Sequence, residues 1–183
     1  MEFSNEQKLI ITLLTEIHAA LEIKDGVDPF FVQEMVSTGH TWALRWQYPG
    51  IFTDSEETPQ SVLFVAKVLD LWERLEHSFS SLSEQEREEL VKLSPTYGKS
   101  VTFRGFDGNG EEGYSIAHIL IEDMGRWSIF KDRDLNAHMP MKEIYERMLE
   151  ALDALPTKSG FDFELSIEEM AAILNAMTHP QNR

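Results

Sequence analysis

The sequence contains no cysteine. Disulfides, thiol catalysis and thiolate metal sites are therefore excluded, and the cytoplasm is the expected compartment. Long apolar runs are missing as well. A bilayer-spanning helix needs ~20 consecutive apolar residues, and the two longest near-apolar stretches, Leu9–Leu14 and Val62–Leu71, are broken by polar or charged residues. Glu2, Asn5 and Glu6 occupy the place where a secretion signal carries positive charge. No membrane partner is expected. Basic residues are scarce: 16 Lys plus Arg stand against 32 Asp plus Glu, for a formal net charge of −16. Nucleic-acid binding draws on cationic side chains that displace counterions, and here Lys and Arg are scattered singly. The densest run, Arg126 to Arg133, is diluted by Asp132 and followed by Asp134. No direct contact with nucleic acid is expected. The acidic excess reads first as solubility and self-repulsion. Behind that come attraction to a basic protein partner, including mimicry of nucleic acid, and metal binding.

What is present supports a folded core. Hydrophobic residues make up 42% and aromatics 10% of 183 residues, a length at which one domain buries roughly 70% of its unfolded surface. Ser4-Asn5-Glu6-Gln7 has the form of a capping box, and Leu9, Ile10, Leu13, Leu14, Ile17 and Leu21 recur at helical spacing. They predict a helix to about Lys24, ended by Asp25-Gly26. Asp28-Pro29 opens a second helix that stops at Gly39. Trp42 and Trp46, four apart, mark a short turn of helix before Tyr48-Pro49-Gly50. After a loop over 50–58, Pro59 opens the longest helix, to about Ser80, with Val62, Val65, Leu69, Trp72, Leu75 and Phe79 as its buried stripe.

Ser83 to Glu86 is another capping box, heading a short polar helix that ends near Ser94-Pro95. Val101–Phe103 alternates like an extended piece and leads into the turn-forming Gly105–Gly110. Tyr114–Met124 fits a helix through Ile116, Leu120 and Met124, with a buried strand over Ser115–Ile121 as the alternative. Met141–Leu155 predicts a helix stopped by Pro156, and Ser166 to Glu169 caps the last one. The fold class is mainly α: six to eight helices with at most one minor hairpin, in one domain over 1–183. The loop at 50–58 and the turn-rich stretch 94–110 are the places where the chain divides if it has halves, the second giving 1–94 and 95–183.

Chemistry-bearing motifs are few. Asp107-Gly108-Asn109-Gly110-Glu111 begins like a calcium loop, but an EF-hand counted from Asp107 needs Gly at Glu112 and Glu at His118. The run reads as a turn, with Asp107 capping the next helix. None of the six histidines (His18, His40, His77, His118, His138, His179) forms a zinc-type pair. His118 and Glu122, four apart, share a helix face and read as a surface pair; Asp123 is placed about 100° away from Glu122 on an α-helix. His18 reads as a boundary residue. No strained G-x-S-x-G turn or phosphate-binding loop is present. Glu56-Glu57, Glu88-Glu89, Glu111-Glu112 and Glu168-Glu169 read as solvated faces, because neighbours in sequence do not face each other on a helix. The tryptophans Trp42, Trp46, Trp72 and Trp127 read as core. No cofactor is expected.

Several strings occur together in order: Val101-Thr102-Phe103-x-Gly105-Phe106-Asp107, Gly125-Arg126-Trp127, Asn136-Ala137-x-x-Pro140-Met141, Tyr145-x-Arg147-Met148-Leu149, and Leu165-Ser166-x-x-Glu169 with Asn175-Ala176. They resemble the C-terminal half of the YfbU family, small bacterial proteins to which no biochemical activity is assigned. Asn5-x-Gln7-Lys8-Leu9-Ile10 is similar to that family's opening, and the helix over 59–80 is so more weakly. The specific part covers about residues 101–176, with departures at Lys131–Leu135 and in a longer Thr157–Glu164 loop. The resemblance implies a bacterial cytoplasmic protein, a mainly helical domain and no particular reaction. It directs attention to Asp107, Arg126, Asn136, Tyr145 and Arg147, which fall on matching positions. Structural roles come first for these: Asp107 as a helix cap, and Arg126 or Arg147 paired with a carboxylate such as Asp107 or Glu122.

Together these observations lead to a non-enzymatic interaction or regulatory domain, homo-oligomeric, with a basic protein as a further partner. The candidate face comprises Asp107, His118, Glu122, Arg126, Asn136, Tyr145 and Arg147. The alternative is a hydrolase or small-ligand enzyme built on Asp107, His118, Glu122 and Arg126, which requires those side chains to converge. A weaker alternative places a nucleic-acid-binding helix-turn-helix within residues 1–48.

Overall fold

The computed structural model describes residues 2–52, 57–156, 163–179 and 181. Part of the expected 50–58 loop, with Glu56, and most of the 157–164 loop lie outside them. The chain is mainly α, with eight α-helices among the described residues, and forms two compact units, Met1–Pro59 and Gln60–Arg183. The 94–110 stretch lies inside the second.

In the first unit, α1 (Asn5–Ala20) starts where Ser4 closes a reciprocal capping box with Gln7. It ends short of the expected Lys24. The amide of Glu22 turns back to the Ala19 carbonyl, and Glu22 itself is left-handed at φ 48°, a conformation no α-helix continues through. α2 (Pro29–Thr38) is capped by the Asp28 carboxylate, which accepts from the amides of Phe30 and Phe31, and stops at the left-handed Gly39. α3 (Trp42–Gln47) stacks Trp42 edge-on against Trp46, centroids 5.8 Å apart.

The packing of α1 on α2 has an unusual sense. The one buried residue of α1 is Thr15, whose hydroxyl donates to main-chain carbonyls one turn back and lies 3.2 Å from Gln33 Oε1 of α2. Lys8, Ile11, Thr12, His18 and Ala19, the partly buried positions, lie on that same arc, as the i+3/i+4 spacing requires. The aliphatic stripe is on the other side. Leu9, Ile10, Leu13, Leu14, Ile17 and Leu21 are each 51–66% exposed.

The second unit is organised around α4 (Gln60–Ser81), whose stripe of Val62, Val65, Leu69, Trp72 and Leu75 is buried as its spacing predicts, with Phe79 partly covered. α5 (Glu84–Leu93) begins at the Ser83/Glu86 capping box and packs on α8 (Ile167–Asn175), which begins at Ser166/Glu169. α6 (Glu112–His118) continues directly into a π-helical turn, Ile119–Asp123, so Ser115–Ile121 is helix and not strand. α7 (Lys142–Asp153) packs on α4 and α8. At the centre, Trp72, Phe103, Phe106, Phe130 and Tyr145 form an aromatic cluster with centroids 5.0–6.2 Å apart in edge-on or tilted pairs, the geometry that ring quadrupoles favour. Of the four tryptophans, Trp42 and Trp72 are core; Trp46 and Trp127 are half-buried, and Trp127 Nε1 donates to Asp70 on the surface. In place of a hairpin, the described residues contain one parallel bridge, between Phe106 and Asn136.

Candidate functional site

The bridge fixes the region that the sequence marks out. Phe106 donates its amide to Leu135 O, and its carbonyl accepts from Ala137, both at 2.9 Å. Gly105, at φ +80°, brings the two backbones together so closely that a Cβ would overlap the Leu135 carbonyl group. Asn136 completes the junction: its Oδ1 accepts from the amides of Gly108 and His138. Asp107 caps no helix, contrary to expectation. Its carboxylate accepts from the amide of Asn109 two residues on, closing an Asx turn, the local bond a short acidic side chain makes most readily.

The residue that does reach a helix start is Glu111. Its Oε1 accepts from the amides of Met141 and Lys142 at 2.8 and 2.7 Å, and its Oε2 from that of Asp107 at 2.9 Å. Glu111 therefore caps α7 from thirty residues away, where a negative charge complements the exposed helix amides. It is no solvated face, so the reading of Glu111-Glu112 as one is corrected for Glu111. Tyr145 is buried and donates its hydroxyl to Gly105 O at 2.7 Å; burial holds its phenol proton well above the ordinary tyrosine range. Arg147 is bound not to a carboxylate but to the carbonyls of Ala176 and Met177, at 3.1 and 3.0 Å. It satisfies main-chain acceptors that the end of α8 leaves open.

His118 and Glu122 open on one shallow cleft of about 370 Å³, shared with Tyr114, Asp132, Arg133, Asp134 and Leu135. They do not pair. His118 Nδ1 lies 3.8 Å from Asp123, and Glu122 accepts from the amide of Asp132 at 2.9 Å. The π-helical turn causes this exchange. The Met124 amide bonds Ile119 O, five residues back, and this wider winding brings residues five apart onto one face. Asp107 and Arg126 are not among the residues lining that cleft. Arg126 is exposed, and its amide donates to Leu120 O. A second cleft, of about 520 Å³, lies between α4, the start of α6 and α7, and includes Phe64, Phe106, Glu111, Glu112, Lys142 and Glu146.

Sequence reasoning missed two further features. Glu76 accepts two bonds from Arg133 at 2.9 and 3.0 Å and one from the amide of Phe103 at 2.8 Å. Nothing local signals this, because the partners come from three separate segments. The outward stripe of α1 is the other; its periodicity was visible but the side on which α2 packs was not. Among the described residues no group of His, Asp and Glu is placed to hold a metal ion, and no helix is long and apolar enough to cross a membrane. The strings that resembled one family run through the Gly105–Asn136 junction and α7, and the YfbU domain model matches residues 1–176; the chain belongs to the YfbU family.

Proposed function

We propose that this protein is a non-enzymatic protein-interaction domain of the bacterial cytoplasm, and that it engages its partner through the outward face of α1. The observation that carries the reading is the sense of that helix, with Thr15 turned toward α2 and six large aliphatic side chains turned to solvent. Soluble proteins seldom expose contiguous apolar patches of more than a few hundred Å², and larger ones mark interaction sites. A supporting point comes from the second unit. Glu111, Asn136, Tyr145 and Arg147 each hold main-chain groups, and side chains so engaged serve the fold.

The test is capture that depends on α1. Tagged wild-type chain and a tagged Leu13→Lys/Ile17→Lys chain are each exposed to a lysate supplemented with untagged chain, at low and high salt. The expected result is at least one bound protein, the untagged chain included, that the double substitution releases. Identical recovery by both baits, or recovery of nothing by either, removes the reading. A basic partner held by the acidic surface would show itself as recovery that salt abolishes and the α1 substitutions leave intact.

A further inference from the structure

We infer that the occupant of the α1 face is a second copy of this chain, its α1 lying antiparallel across a two-fold axis; this rests on the interaction reading and names its partner. The first argument is area. Six Leu and Ile residues at 51–66% exposure present on the order of 600 Å² per copy, so two copies would bury roughly 1,200 Å², the lower end of what a specific interface needs.

The second argument is self-complementarity. A two-fold contact must match one patch to itself, each residue i meeting j while j meets i. The stripe runs from Leu9 to Leu21 and is centred on position 15. Antiparallel pairing about that centre sets Leu9 against Leu21 and Leu13 against Ile17, so apolar meets apolar along the seam. A parallel pair would instead bring each exposed Glu16 beside its own equivalent. Antiparallel helices also oppose their end charges favourably. The helix, 16 residues long, spans about 24 Å, enough for the whole seam to pack at helix–helix distance.

Charge separates this occupant from a basic protein. Each copy carries −16, so two copies repel at long range, and salt, by screening that repulsion, should tighten the pair. Binding of a basic partner weakens under the same change.

The experiment uses the full chain. Light scattering coupled to size exclusion should give twice the 21.1 kDa chain mass at high concentration, with the dimer favoured by added salt. Leu13→Lys/Ile17→Lys should return the mass to one chain with an unchanged far-UV circular dichroism spectrum; lysine reduces self-repulsion, so charge alone would not account for the loss. Because the chain has no cysteine, Leu14→Cys should be joined into covalent dimers by a short bis-maleimide, and Glu88→Cys on α5 should not. One chain mass at the highest soluble concentration overturns the inference. So does a dimer that survives the double substitution, one that salt dissociates, or equal crosslinking at both cysteines. A monomer that still captures another protein through α1 removes the second copy alone; a monomer without such capture removes the interaction reading too.

Discussion

Gly105→Ala tests the backbone junction on which the second unit is built. Two costs are separable there. The left-handed φ of +80° costs an alanine ~1–2 kcal/mol. The added Cβ would overlap the Leu135 carbonyl and sit 2.7 Å from Leu135 Cα, so the backbones must part. Parting them weakens the Phe106–Leu135 and Ala137–Phe106 hydrogen bonds, each worth ~1 kcal/mol net, and pulls the Gly105 carbonyl from the buried Tyr145 hydroxyl. The sum is about 4 kcal/mol, or a fall in Tm of roughly 10–20 °C for a unit of this size. Gly125→Ala is the control: φ is +65° but nothing lies within 4 Å of a Cβ, so it carries the conformational cost alone, about 1 kcal/mol. Urea unfolding followed by near-UV circular dichroism, which reports the cluster around Trp72 and Tyr145, measures both. Equal destabilisation by the two substitutions would refute the argument that close approach of the 105 and 135 backbones dictates glycine.

The same geometry sets three further outcomes. Glu111→Ala removes the acceptor of three amides and should cost about 2 kcal/mol by urea unfolding, with Glu111→Gln intermediate because one amide oxygen cannot serve both sides. Glu76→Ala should cost about 2–3 kcal/mol, since it leaves both the partly buried Arg133 and the Phe103 amide unpaired, and a double-mutant cycle with Arg133→Ala should return a coupling above ~1 kcal/mol. The Ser83 hydroxyl and then its amide hold the Glu86 carboxyl below the usual range, and the Glu168 carboxyl is lowered by its own amide and by Ser166. Folded values below the unfolded one mean a contribution present above pH 4.5 and lost as pH falls through the lowered values. Helicity should therefore decline on acidification below that pH, and Ser83→Ala should flatten the decline.

Helix boundaries were legible where the chemistry that sets them is local. Ser4 with Gln7, Asp28 with Pro29, Ser83 with Glu86 and Ser166 with Glu169 lie within three residues of each other, and each opens the helix its spacing predicts. The buried stripe of α4 was legible for a similar reason: a helix of 22 residues at the centre of a unit meets neighbours on its one apolar side. What could not be read depends on partners distant in sequence. Glu111 looks like surface until Met141 arrives, thirty residues on. His118 and Glu122, four apart, do open on one cleft, but the π-helical turn puts Asp123 and not Glu122 beside His118. Arg147 has a carboxylate's natural partner chemistry and is bound instead to two carbonyls at the end of α8.

α1 is the sharpest case of this division, and the one with consequences for function. Periodicity establishes that a stripe exists and is silent on what covers it. In α4 the stripe is covered by the rest of its own unit; in α1 Thr15 and its neighbours, Ile11 among them, face α2 while Leu9, Ile10, Leu13, Leu14, Ile17 and Leu21 face out. Hydrophobic burial is the main favourable term in folding, so a helix that turns its smaller, more polar arc inward forgoes much of that gain within the unit. The loss is recovered if association buries the outward stripe. Substituting the stripe should then leave the unit's own packing intact and act on association alone, whereas Thr15→Val, on the inner arc, should alter stability and leave association unchanged. The opposite pattern, with Leu13→Lys/Ile17→Lys unfolding the chain at concentrations where the wild type is a single chain, would place the stripe in the unit's own core and end the case for an interface.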